Sequence, residues 1–162
     1  MLIVGYGNAS RRDDGVALHI MQRLRRRLGL PLGELDDEDG DASGDPAMIY
    51  VHQLGPELAE TLSQHDLVVF VDAHVEGANW QPVHWQEIIP AYRSSMVSHH
   101  LTPDVLLALC QTLFGHAPKA YMLSVLGHDF DFGDELSAET SALADEAVSR
   151  LVDLVLSENV TA

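Results

Sequence analysis

Three short stretches of this chain carry groups able to hold a cation or move a proton. Asp13 and Asp14 follow a glycine turn, Gly5-Tyr-Gly7-Asn8, at the end of the opening apolar run. Asp72 closes Leu67-Val-Val-Phe-Val71, the most apolar segment of the chain. His99 and His100 stand just ahead of Leu101-Thr-Pro103. A strand emptying into a glycine turn is the usual entrance to a phosphate site, where backbone N–H groups and a helix N-terminus face an anion. Two carboxylates there would repel that anion. The dinucleotide fingerprint also wants a third glycine, where this chain has Ser10, and an acid about twenty residues on, where it has Arg23, Arg25, Arg26 and Arg27. No Gly-Lys-Ser/Thr follows either, so no nucleotide is expected. Paired carboxylates with an imidazole form a set suited to zinc, nickel or iron.

Each of these residues also has a plainer role open to it. Asp13 and Asp14 fit a helix N-terminus, where acids favour the macrodipole, and one can cap while the other binds. Asp72 fits a turn at a strand end. His99 and His100 can simply flank the next helix, with Thr102 capping and Pro103 at the first position. The other histidines, His52, His65, His74, His84, His116 and His128, are scattered and read as surface or packing residues. Ser94, Ser95 and Ser98 lack a nucleophile elbow. Cys110, the lone cysteine, sits in Leu106-Leu-Ala-Leu-Cys110 and reads as core, which leaves neither a disulfide nor a thiolate cluster.

The elements that must position these groups follow from hydrophobic pattern. Leu2 to Val4 reads as a buried strand. Val16 to Leu28 reads as a helix, with Val16, Ile20, Leu24 and Leu28 at helical spacing. Further strands are expected at 48–51, 67–71, 83–88 and 120–126, and helices at 56–64, 102–114 and 137–156. Strands alternating with helices predict one α/β domain over 1–162. This is a three-layer sandwich with a mostly parallel, twisted sheet of about five strands, one possibly antiparallel, and helices on both faces. Residues 33–46 hold seven acids and three glycines and read as a solvated, flexible insertion. A calcium hand would need an acid where Leu35 stands.

Composition narrows the partners. At 162 residues with 46% hydrophobic content, the chain can bury one core. A formal net charge of −16, from 25 acidic and 9 basic groups, argues against nucleic-acid or anionic-membrane binding. No stretch has the pattern of a signal peptide or a membrane span, and a soluble, cytoplasmic protein is expected. In an α/β sheet the ligand site lies beyond the carboxyl ends of the strands. That rule gathers Asp14, Asp72 and the His99-His100 pair at one sheet edge.

The same pieces, taken in order, resemble the hydrogenase maturation endopeptidases, which trim the C-terminal tail of nickel–iron hydrogenase large subunits. The resemblance rests on Val4-Gly-Tyr-Gly-Asn8 with Arg12-Asp-Asp-Gly15, His52-Gln-Leu-Gly-Pro-Glu-Leu-Ala59, and Val68-Val-Phe-Val-Asp-Ala73. It continues in Ser98-His-His-Leu-Thr-Pro103 and in Ser124-Val-Leu-Gly-His-Asp-Phe-Asp-Phe-Gly133 ahead of Leu136-Ser137. The Arg-Asp-Asp-Gly and His-Gln-Leu-Gly-Pro-Glu-Leu forms resemble the branch serving soluble, cofactor-reducing hydrogenases.

The resemblance implies an endopeptidase that recognises nickel already inserted in its precursor substrate, with Asp14, Asp72 and His99 contacting that metal and sharing the catalytic roles. Asp13 and His100 are the alternates. The family pattern places the histidine two residues before a leucine, here Leu101. Nickel would thus be supplied by the large-subunit precursor, the one partner implied. A non-cleaving nickel-sensing chaperone of the precursor and a nucleotide-dependent α/β oxidoreductase are the competing readings. The chain has no His-Glu-x-x-His helix of ordinary zinc proteases.

Overall fold

The computed structural model describes residues 1–32, 44–77, 79–92 and 100–161. Most of the acidic insertion, residues 33–43, lies outside the described residues, and so does His99. In chain order the strands are β1 (Leu2–Tyr6), β2 (Ala47–Val51), β3 (Leu67–His74), β4 (Val83–Ile88) and β5 (Lys119–Leu126). The helices are α1 (Val16–Arg27), α2 (Leu58–Ser63), α3 (Pro103–Phe114) and α4 (Ala138–Thr161). The strands form one sheet in the order β2-β1-β3-β5-β4. Its pairings are parallel except for β4, which runs antiparallel to β5 at the edge. The expected three-layer architecture, with one antiparallel strand, is what forms.

The near-continuous apolar runs of the parallel strands are explained by burial on both faces. Side chains alternate across the sheet. Ile3, Val69, Val71, Leu123 and Val125 pack with α1 and α4, through Ala17, Ile20, Ala144 and Leu151 among others. Leu2, Val4, Val68, Phe70 and Ala120 pack on the opposite face with Leu58 and Leu62 of α2 and Leu106, Leu107 and Cys110 of α3. No helix among the described residues is long and apolar enough to cross a membrane.

Two departures from the expected boundaries bear on the site. Asp72 does not close β3: the ladder continues through Asp72↔Ser124, Ala73↔Val125 and His74↔Leu126. An aspartate is a poor strand former, but main-chain pairing to β5 carries the strand past it. Secondly, the acids after the glycine turn lie in a single 3₁₀ turn, Arg12–Gly15, that precedes α1. Smaller shifts are of the usual end kind. Gly55 and Pro56 accept 3₁₀-type bonds that delay α2 to Leu58, and α4 runs to Thr161 through residues that were expected to lie beyond its end.

The connections place the site. From β1 the chain moves outward to β2, then returns past β1 to β3 on its other side. β1 and β3 therefore flank the point where strand order reverses, and the crevice outside their carboxyl ends is where such sheets bind ligands.

Candidate functional site

The glycine turn after β1 is filled by the chain's own carboxylate. Gly7 has φ +139°, and a Cβ there would come within 2.1 Å of the Asp14 carbonyl oxygen, so only glycine lets the 3₁₀ turn fold back against it. Gly15 is needed in the same way, since a Cβ would meet Ala9 Cα at 2.7 Å. The Asn8 N–H, one of the donors a phosphate would use, donates instead to Asp14 Oδ2 at 3.0 Å. The Tyr50 hydroxyl donates to the Gly7 carbonyl from β2, and the Gly7 N–H donates to Val51 at 3.2 Å. The turn is thus a rigid mount for Asp14.

Asp13 points the other way. Its buried carboxylate accepts five hydrogen bonds from the far end of the chain. Ser137 N–H donates to Oδ1 at 2.8 Å, while Oδ2 receives His128 N–H at 2.8 Å, Asp129 N–H at 2.9 Å, Ser137 Oγ–H at 2.7 Å and Thr140 Oγ1–H at 2.8 Å. Burial alone would raise its pKa; the donors from Ser137, His128 and Asp129 outweigh that and hold it down at about 2. Around it the 127–137 loop is stitched to the turn. Arg12 N–H donates to Gly133, Asp13 N–H donates to Asp129, and the Arg12 guanidinium pairs with Asp129 at 2.8 Å. Of the two neighbouring acids, Asp13 anchors and Asp14 is presented.

Asp72 is presented from β3 on the face that carries α2 and α3, the same face as Val68 and Phe70. Its Oδ1 accepts the Ala73 N–H at 2.7 Å, and Tyr6, at the end of neighbouring β1, donates its hydroxyl to the carboxylate. Burial pushes the Asp72 pKa up to about 7, and the charge of Asp14 adds to the rise; the hydrogen bonds from Ala73 and Tyr6 pull in the opposite direction. Burial, together with the negative charge of Asp72, raises the Tyr6 pKa, so Tyr6 stays a donor. Asp104, in the first turn of α3, lies close enough for its charge to act on Tyr6. Tyr6 and Asp104 carry no signal in sequence beyond their proximity to motifs.

Farther along the same face, β3 and β4 add imidazoles. His74 Nδ1 lies 2.8 Å from Ser124 Oγ, and the Trp80 ring meets His74 edge-on at 5.2 Å while stacking on His84 at 4.5 Å. Burial and the neighbouring His84 lower the His74 pKa. These two histidines, expected to be scattered, belong to the border of the site because β3 is longer than its apolar run. His100 is exposed ahead of α3. Thr102 occupies the expected cap position with Pro103 first in the helix, but its hydroxyl donates to the Asp104 carboxylate instead of capping the backbone. Among the described residues no three His, Cys, Asp or Glu side chains form a metal-holding group. Asp14 and Asp72 are brought together, and His99 lies outside the described residues.

No protein-family model matches the sequence, and no curated protein matches it. Solved structures do. A NiFe hydrogenase maturation protease, HycI, from Thermococcus kodakarensis superposes with a TM-score of 0.65 over 95% of this chain and 90% of its own, at 19% identity. The hydrogenase maturating endopeptidase HybD from Escherichia coli gives 0.67 over 97% and 92%, at 18% identity. This is the fold of the NiFe hydrogenase maturation proteases. An endopeptidase from Escherichia coli agrees, with a TM-score of 0.65, 98% and 94% coverage and 20% identity.

Proposed function

We propose that this protein is an endopeptidase that removes the C-terminal extension of a nickel-loaded hydrogenase large-subunit precursor, using the precursor's nickel as the signal to cut. The reading is carried by one observation. In a fold shared with maturation proteases, two carboxylates, Asp14 and Asp72, converge at the switch point, and Asp72 is too buried to ionise readily by itself. A site of that kind suits a dication that arrives with the substrate. The incoming charge offsets the cost of ionising Asp72, and the oxygens then bind it. Asp14 is held by Asn8, Asp72 is held by Ala73 and Tyr6, and His99 supplies the imidazole that completes the set.

Held by Asp14, Asp72 and His99, the precursor's nickel would supply Lewis-acid polarisation of the scissile carbonyl. The precursor is the partner; the site needs no nucleotide.

The test is incubation of the purified protein with nickel-loaded and nickel-free precursor, followed by intact mass of the large subunit. A shortened subunit is expected only with nickel. Asp14→Ala, Asp72→Ala and His99→Ala are expected to abolish shortening, and His100→Ala to retain it. Nickel-dependent binding without any shortening would leave a non-cleaving chaperone in place of the protease, and wild-type cutting by any of the three variants would remove that residue from the set.

A further inference from the structure

β4 is an edge strand with a defined set of free main-chain groups. Leu126 N–H donates to Pro82 at 2.8 Å, one step beyond the Val83↔Val125 pair, which places Pro82 and Leu126 in the hydrogen-bonded class of an antiparallel ladder. Alternation then turns the N–H and C=O groups of His84, Gln86 and Ile88 toward β5 and those of Val83, Trp85 and Glu87 outward. The Arg150 guanidinium, which reaches the Val83 carbonyl at 3.3 Å, agrees with that assignment. No strand among the described residues pairs with the outward groups of Trp85 and Glu87.

A groove of about 510 Å³ runs beside this edge, walled by Trp80, Gln86, Ile88, Pro103, Asp104 and Met122. It lies on the side of α3 that faces the carboxylate site, since Asp104 is both its wall and a charge acting on Tyr6, the partner of Asp72. Its charged lining residues, Glu87 and Asp104, are both acidic, so it accepts a neutral or cationic segment and repels an acidic one. A second copy of this chain, at −16, is a poor occupant on the same ground.

We propose that the precursor's tail binds as an added strand on β4, pairing with the outward groups of Trp85 and Glu87 and dropping alternate side chains into the groove. This rests on the protease reading above and gives it a substrate geometry. Main-chain pairing would deliver an extended peptide across the sheet edge toward Asp104 and the site, with little demand on its sequence. Trp80, held between His74 and His84, forms the wall against which a side chain packs.

The test combines hydrogen exchange over residues 83–89 with processing kinetics, using the nickel-loaded precursor as probe. On binding, the Trp85 and Glu87 amides are expected to slow by about tenfold or more. Glu87→Pro removes an outward N–H without touching the β5 ladder, as an edge position tolerates; kcat/KM is expected to fall by about tenfold or more, through KM. Cutting without slowed exchange at 83–89, or wild-type kinetics in folded Glu87→Pro, overturns the docking and spares the protease reading. Slowed exchange without cutting overturns the protease reading and spares the docking. A precursor that neither protects 83–89 nor is cut overturns both, and protection that appears with protein concentration alone overturns the docking and spares the protease reading.

Discussion

Asp13→Asn isolates the anchor from the site it supports. The wild-type carboxylate is buried and takes five donors within 2.7–2.9 Å. An asparagine keeps the shape, but its amide nitrogen must face donors. The least costly orientation leaves the carbonyl with the four donors now at Oδ2 and turns the NH₂ against the Ser137 N–H. One buried backbone donor is then orphaned, at about 1–3 kcal/mol, and the remaining bonds lose their charge assistance. The pKa gives a second route to the magnitude. A carboxylate held at about 2 instead of 3.8 favours the ionised folded form by about 2.5 kcal/mol. The two routes agree on a loss of about 2–3 kcal/mol of the 5–15 expected of a domain. The sign with pH follows from the depressed pKa: the stabilisation is complete above 3.8 and is lost as pH falls through about 2. Urea unfolding at pH 7 is expected to show the full gap between variant and wild type with unchanged m, and the gap is expected to close between pH 4 and 2. A loss under about 1 kcal/mol at pH 7, or a gap indifferent to acid, would refute the assignment of Asp13 as the anchor.

Asp72→Asn should behave in the opposite sense. A folded pKa raised to about 7 means that ionised Asp72 costs stability as pH climbs above the unfolded value, so the variant is expected to be more stable by up to about 4 kcal/mol at pH 8, with the advantage vanishing below pH 4, measured by denaturant titration. Its processing activity is expected to be lost. In the wild type, kcat/KM should rise with pH through about 7 as free Asp72 ionises, and Tyr6→Phe, by removing a hydrogen bond that lowers that pKa, should move the acid limb upward; an unmoved limb in the pH profile would separate Tyr6 from Asp72.

The layers and the order of α and β elements were legible because the core strands are buried on both faces and announce themselves as apolar runs, as in Leu67-Val-Val-Phe-Val71. That Asp72 and an acid of Arg12-Asp-Asp-Gly15 share one sheet edge was legible because each follows an apolar run and those runs form adjacent parallel strands. What escaped depended on contacts distant in sequence. The five donors that commit Asp13 come from residues 128–140, and nothing in Arg12-Asp-Asp-Gly15 distinguishes the two acids. Tyr6 becomes a partner of Asp72 through β1–β3 register, and His74 and His84 share a face because β3 continues three residues beyond Val71 and β4 folds back antiparallel.

The anchorage of Asp13 also bears on when the protein can act. β1, β3 and Asp72 are complete once the first half of the chain has been made, yet the turn that presents Asp14 has its donors at His128, Asp129, Ser137 and Thr140. A ribosome that has not passed Thr140, or a product truncated before it, leaves that turn without its clasp. Closing a loop of more than a hundred residues carries an entropy cost that shorter connections do not. The turn that presents Asp14 is therefore clasped only when the 128–137 loop and the first turn of the last helix have been made.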